Sequence, residues 1–169
     1  DLIATTGGLF SEIPSLILNV GEVQAEEAFI WWKETFGEHF YAELNRHGLE
    51  EEQVVNETLL RFCKKHSVRY IAANSSYYTQ KKQAEAHDIL LCVKDAQNVS
   101  KPKRYIGKRG REFRFGMPNS EWYVKTPSEM RKLFADLPEA LALTSEIAEG
   151  CESYVLERDV LLPAFDIPE

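Results

Sequence analysis

The sequence predicts an α/β chain: a helix-rich, partial β/α barrel followed by a β-hairpin and C-terminal helices. Three observations carry that expectation. Two short runs bounded by breakers, Phe40-Tyr41-Ala42-Glu43-Leu44 and Val68-Arg69-Tyr70-Ile71-Ala72-Ala73, have the aromatic and β-branched content of strands. Helix-length segments separate and follow them, and a strand–helix–strand order with a helical crossover is the pattern of parallel pairing. Finally, two such strands are too few to close a barrel or fill an open sheet, so incompleteness is the economical expectation.

The elements follow in order. Ser11-Glu12-Ile13-Pro14 opens a first short helix, with Pro in the first turn, where its missing N–H costs nothing, and Gly21 ends it. A second helix covers 22–36, with Val23, Ala28, Phe29, Trp32 and Phe36 near helical spacing, and Gly37 stops it. Beyond the first strand, 50–66 reads as an amphipathic helix with Val54, Leu59, Phe62 and Cys63 on its buried side. Beyond the second, 81–93 forms another, carrying Ala84, His87, Ile89, Leu90 and Leu91. The pattern then changes. Arg104-Tyr105-Ile106, Gly107-Lys108-Arg109-Gly110 and Glu112-Phe113-Arg114-Phe115 predict a hairpin around a Gly-bounded turn. Thr126-Pro127-Ser128-Glu129 is a helix start, with a capping Thr, Pro at the first position and Glu three residues on. Asp136-Leu137-Pro138-Glu139 starts a last helix, ended by Gly150, and the stretch after Glu152 reads as extended. The expected organisation is a β/α part over 1–100, a basic hairpin over 101–125, a helical pair over 126–151 and an extended connection over 152–169.

Composition bounds the function. A chain of 169 residues with 44% hydrophobic and 28% charged residues can bury a real core and has the make-up of a soluble globular protein. No apolar run approaches bilayer length, so no membrane role and a cytoplasmic location are expected. The first residue is Asp1 and no signal peptide follows, which suggests a piece cut from something longer. Cys63, Cys92 and Cys151 are widely spaced and read as buried free thiols of a reducing compartment, not as a zinc site. A net charge of -7 argues against nucleic-acid binding by the whole surface, yet Lys101 to Arg114 holds seven basic residues and one acid, Glu112.

In β/α barrels, functional side chains sit just past the carboxyl ends of strands. Those positions are Asn45, Arg46 and His47 after the first strand, and Asn74, Ser75, Ser76, Tyr77 and Tyr78 after the second. His47 could ligate a metal, with Glu43 assisting if its strand turns it inward. Ser and Tyr hydroxyls are poor ligands, and a divalent ion needs three or more good ones. His87, among apolar helix neighbours, reads as a packed histidine, and His39 and His66 as surface residues at element ends. No Gly-x-Ser-x-Gly turn, phosphate loop or paired-acid magnesium site is present. The basic hairpin has two readings. Lys103, Arg104, Lys108, Arg109 and Arg111 could contact phosphates, or the hairpin is a solvated one with arginines outward and aromatics inward; the second is the simpler.

Tyr41-Ala42-Glu43-Leu44, Ala72-Ala73-Asn74, Ala86-His87-Asp88-Ile89-Leu90-Leu91-Cys92 and Phe134-Ala135-Asp136-Leu137-Pro138-Glu139-Ala140-Leu141 stand in order and at matching spacing. Together they resemble the alpha subunit of bacterial DNA polymerase III, in its polymerase-and-histidinol-phosphatase (PHP) domain. Leu2-Ile3-Ala4, Glu12-Ile13-Pro14 and Leu161-Leu162-Pro163-Ala164-Phe165 extend the resemblance over almost the whole chain. It implies the later half of a PHP-type barrel plus the connection toward the palm. The family's His-rich metal motifs would precede Asp1, and its catalytic aspartates would follow Glu169.

The resemblance also implies a degenerate pocket. Gly8 stands where metal-competent relatives carry Cys, and Asn74-Ser75-Ser76-Tyr77 where they carry Asn-Asp-x-His; His47 alone is retained. The implied site at Gly8, His47, Ser75 and Tyr77 then holds no metal, and the segment contains no catalytic residue. Its role would be structural, within a DNA-directed DNA polymerase that uses magnesium elsewhere. The implied partners are the palm, the N-terminal half of the PHP domain and, through the parent chain, DNA and other replisome subunits. The alternative expectation is a metal-dependent phosphoesterase or proofreading 3'-5' exonuclease module. A third is a nucleic-acid-binding module built on the basic hairpin.

Overall fold

Parallel pairing organises the chain. In the computed structural model, which describes residues 2–107, 110–153 and 155, three strands form one sheet in the order β1-β2-β3. These are β1 (Ala4–Thr5), β2 (Phe40–Asn45) and β3 (Arg69–Ala73). Ala4 pairs with Phe40, and Glu43 with Ile71. Helices α1 (Glu12–Asn19) and α2 (Glu22–Phe36) connect the first two strands, and α3 (Glu50–His66) connects the second and third. Since side chains alternate along a strand, Phe40, Ala42 and Leu44 share one face of β2 and Tyr41, Glu43 and Asn45 the other. The first face is sealed by aromatic packing: Phe29 of α2 lies 5.2 Å from Phe40 and 5.5 Å from Phe62 of α3.

The remaining elements are α4 (Ala84–Lys94), β4 (Lys103–Arg104), β5 (Arg114–Phe115), α5 (Pro127–Leu133) and α6 (Pro138–Gly150). The last helix runs along the outer edge of β3. Thr144 Oγ1 lies 3.0 Å from the carbonyl of Ala140 in its own helix and 3.3 Å from that of Ala72, and Arg69 meets Glu146 at 2.8 Å. Three strands do not close a barrel among the described residues. One hydrophobic core joins Ala4, Leu59, Tyr105, Trp122, Phe134 and Ala140, so it crosses the ranges that the sequence divides.

Several expectations change. β1 escapes the sequence reading because two residues show no periodicity. Within α3, Val55 is buried and Val54 is half exposed, a one-residue error of helical phase; in α2, Ala25 and Phe29 turn inward while Val23 faces solvent. The 81–93 helix begins as a 3-10 turn over Lys81–Gln83, and Ile89 and Leu90 are exposed. Cys63 and Cys92 are buried free thiols, with burial pushing the Cys63 thiol up to about 12. Cys151 is exposed instead, at the end of α6, where its thiol donates to the carbonyl of Ile147.

The predicted hairpin is the largest correction. β4 and β5 pair in parallel, Lys103 with Arg114 and Arg104 with Phe115, so the chain loops around between them rather than reversing. The cause is Arg114. Its side chain is 4% exposed, and it turns inward to a two-pronged bond with Asp88 of α4, both contacts at 2.8 Å. It also donates to the carbonyls of Lys101 and Val99. An arginine expected outward is thus the anchor of its segment. Lys108, Arg109 and most of 152–169 lie outside the described residues.

The helix start at Thr126 forms as its sequence requires. Thr126 Oγ1 accepts from the Glu129 amide, and the Glu129 carboxylate accepts from the Thr126 amide at 2.8 Å. Glu129 also accepts from the Tyr123 hydroxyl at 2.6 Å, and that bond, followed by those from Thr126, holds its carboxyl down at about 2. Thr126→Ala is expected to destabilise the chain by about 1 kcal/mol. Urea unfolding reads this, and an unchanged midpoint would mean the cap contributes nothing.

Candidate functional site: a pocket at the carboxyl ends of the strands

The loops that leave β1, β2 and β3 converge, as parallel topology requires. After β1, Gly7 takes a φ of +69°, and a Cβ there would lie 2.2 Å from Ser11 Oγ, so the sharp turn into α1 needs glycine. That turn sets Gly8, Phe10 and Ser11 along one wall of a pocket of about 200 Å³. Asn45 at the end of β2, Glu52 of α3, and Ser75 and Tyr77 after β3 complete it with Tyr105 and Trp122. Three of the four predicted positions, Gly8, Ser75 and Tyr77, therefore line one cavity. A Cβ on Gly8 would stand 3.9 Å from Ser75 Oγ.

His47 lies behind the wall, and it is fully engaged. Its ring stacks on Trp122 with centroids 3.9 Å apart and planes 5° from parallel. Nδ1 meets Glu52 Oε1 at 2.6 Å, and Nε2 meets the carbonyl of Ser75 at 3.1 Å. The backbone N–H of His47 donates to the other oxygen of Glu52. A carbonyl can only accept, so Nε2 donates to Ser75, and Nδ1 is held against the Glu52 carboxyl group. Both ring nitrogens are thus engaged within the protein. Asn119 closes the loop by donating to the His47 carbonyl at 2.7 Å.

Glu43, the other candidate ligand, is held apart. Its carboxylate accepts from the Thr5 hydroxyl and the Asn45 side-chain amide, both at 2.9 Å. Among the described residues, no three His, Cys, Asp or Glu side chains converge as metal ligands would. His87 sits away from the pocket floor, half-buried against Tyr77 and Tyr78, where loss of water lowers its pKa. His39 is exposed, and His66 bonds Glu26 between α3 and α2.

The basic stretch borders the pocket through Tyr105. That residue is buried, and burial, followed by the neighbouring Tyr77 and the Glu52 charge, pushes its phenol well above the ordinary range. Lys103 and Arg111 are exposed, and the Arg104 guanidinium lies 3.8 Å from the centre of the Phe113 ring. No helix among the described residues is long and apolar enough to cross a membrane.

No family model matches the chain. Curated relatives do. It is 36% identical to the DNA polymerase III subunit alpha of Borreliella burgdorferi over 99% of its own length, which is 14% of that protein. The corresponding subunits of Caulobacter vibrioides and Thermus aquaticus are each 35% identical, over 97% and 99% of the chain and 13% of theirs. Over this segment the chain belongs to the DNA polymerase III alpha-subunit family. It spans about one-seventh of the length of the alpha subunits it matches.

Two features of this alpha-subunit segment escape sequence reasoning. Trp122 is 2% exposed and forms the back of the pocket, yet nothing local marks it. Lys125, to which the sequence pattern assigns no role, has a side chain 5% exposed. Its ammonium donates to Asn74 Oδ1 at 3.0 Å and to the Glu121 carbonyl, over the Tyr123 ring, and burial lowers its pKa. It clasps the 121–125 stretch of the alpha-subunit segment to the loop after β3, and so fixes the position of Trp122.

Proposed function

We propose that the chain is a non-catalytic scaffold segment of a replicative DNA polymerase alpha subunit: the later half of its PHP domain, with a pocket that has lost its metal. The single observation behind this reading is the state of His47. It is the one imidazole at the pocket, and both ring nitrogens are committed to Glu52 and Ser75, so a cation would have to break a buried network to reach it. The other polar groups of the lining are hydroxyls, an amide and one carboxylate, Glu52, which already accepts from His47; a single engaged carboxylate falls short of the three or more ligands that manganese or zinc needs. Three strands with their loops gathered at one end suit part of a β/α barrel, completed by another part of the parent chain. The parent would carry out template-directed DNA synthesis with magnesium held in its palm, in the cytoplasm. The palm, the remainder of the PHP domain, DNA and further replisome subunits would be its partners.

Metal titration tests the reading. Calorimetry with manganese and with zinc is expected to give no stoichiometric heat, and elemental analysis of the purified chain well under one ion per molecule. A tight one-to-one site lost in His47→Ala would overturn the proposal in favour of a phosphoesterase or proofreading exonuclease.

A further inference from the structure

We propose that the outer face of α4 is a docking surface for a second copy of this chain, paired antiparallel across a two-fold axis. Helix α4 carries apolar residues on two opposite sides. At 3.6 residues per turn, Ala84, His87, Asp88, Leu91 and Cys92 share one side, and Ala86, Ile89, Leu90 and Val93 the other. The first side is used. Cys92 is buried, Asp88 holds Arg114, and His87 packs on Tyr77 and Tyr78. The second side is not: Ile89, Leu90 and Val93 are 46%, 64% and 72% exposed, and Ala86 is exposed as well. Apolar residues at i, i+3, i+4 and i+7 are the stripe that a surface helix normally turns inward. Here the stripe faces water.

The pattern itself says what fits. Its spacing is the same read from either end, so an antiparallel copy presents a matching stripe, as a self-complementary two-fold contact requires. With the axis between Ile89 and Leu90, each Ile89 comes level with Leu90 of the copy, and each small Ala86 with the larger Val93. Charge selects the direction. Glu85 stands in the first turn and Lys94 in the last. Antiparallel pairing brings each level with the opposite charge and opposes the two helix dipoles, whereas a parallel pair brings like charges level and aligns the dipoles. No charged side chain interrupts the stripe between Ala86 and Val93. One short helix from each copy makes a small interface, so the dimer is weak, with a Kd on the order of 10–100 µM. None of the four stripe residues lines the pocket, and their pairing stands or falls independently of whether that pocket holds a metal.

Sedimentation velocity of the full chain, from well below that concentration range to well above it, is expected to pass from monomer to dimer. Leu90→Glu, at an exposed position that does not threaten the fold, should raise the Kd about tenfold or more. Cross-linking reads the geometry directly. In a background with the exposed Cys151 replaced by Ser, Leu90→Cys places its two copies beside the axis and should give a disulfide-linked dimer under mild oxidation. Ala86→Cys alone should not, because its copies lie at opposite ends of the pair. Mixed with Val93→Cys, it should give the mixed dimer in excess of either like pair. A monomer at every concentration would overturn the proposal. So would a dimer that Leu90→Glu leaves intact, since the contact would then lie elsewhere, such as the open edge of β1. Cross-linking of Ala86→Cys to its own copy in preference to Val93→Cys would overturn the antiparallel pairing.

Discussion

Replacing Glu52 with alanine is expected to lower the stability of the chain by about 3–5 kcal/mol. The Glu52 side chain is 4% exposed and that of His47 is 0% exposed. One carboxylate answers two donors of the same residue, the backbone N–H and the ring. Removing it strands both in a site closed by Trp122, and a buried donor without a partner carries its full desolvation penalty. Glu52→Gln keeps an acceptor and should lose less. In a Glu52→Leu background, His47→Phe should recover part of the loss, because an apolar pair has no orphaned polar groups. Guanidinium unfolding of Glu52→Leu, His47→Phe and the double variant against the parent measures the coupling. A Glu52→Ala midpoint within about 0.5 kcal/mol of the parent would show that Glu52 does not hold His47 in place.

The second large effect is expected at Asp88. Its side chain is 18% exposed and is the two-oxygen partner of the buried Arg114 guanidinium. Asp88→Ala leaves that cation with the carbonyls of Lys101, Val99 and Phe115 and no counter-charge, and should cost about 3 kcal/mol or more. The loss has a signature in pH. Hydrogen bonds from Arg114, and secondarily the Lys103 charge, hold the Asp88 carboxyl below its ordinary value of 3.8. A carboxyl lowered by folding stabilises fully above the unfolded value, and that contribution disappears as pH falls through the folded one. The parent should therefore lose stability steeply below about pH 4, and Asp88→Asn should have a shallower acid limb. Identical acid limbs would mean that the ion pair contributes no pH dependence.

These two networks also mark where sequence reasoning stops. The parallel β/α pattern is legible because strands and helices leave local traces: β2 and β3 lie where their composition places them, and α3 runs over Glu50–His66 as its amphipathic pattern requires. The capping box at Thr126 is legible for the same reason, since all its partners lie within four residues. Glu52 is different. In sequence it is the third acid of an ordinary acidic first turn; only its position three residues into the helix hints that it can reach back to the loop before it. Arg114 is less legible still. Alternating basic and aromatic residues predict a hairpin, but the side chain that decides the path of the chain bonds to Asp88, 26 residues earlier. Gly8, Ser75 and Tyr77 come together because parallel strands bring their exits together; Trp122 joins them through the Tyr77 N–H, which donates to its carbonyl at 2.9 Å, with Lys125 bonded to Asn74 beside it, and no spacing rule connects these partners.

The seating of α6 along β3 gives the sheet a direction of growth. Unpaired backbone groups on an outer strand attract other strands, and proteins commonly shield them. Here one flank is shielded by a helix whose Thr144 lies over the Ala72 carbonyl, while β1 has no neighbouring strand on its far side among the described residues. Among the described residues, the edge of this sheet left open to another strand is that of Ala4 and Thr5. Any shortened version of this chain that stops before α6 would expose a second sticky border and trade one ordered seam for two.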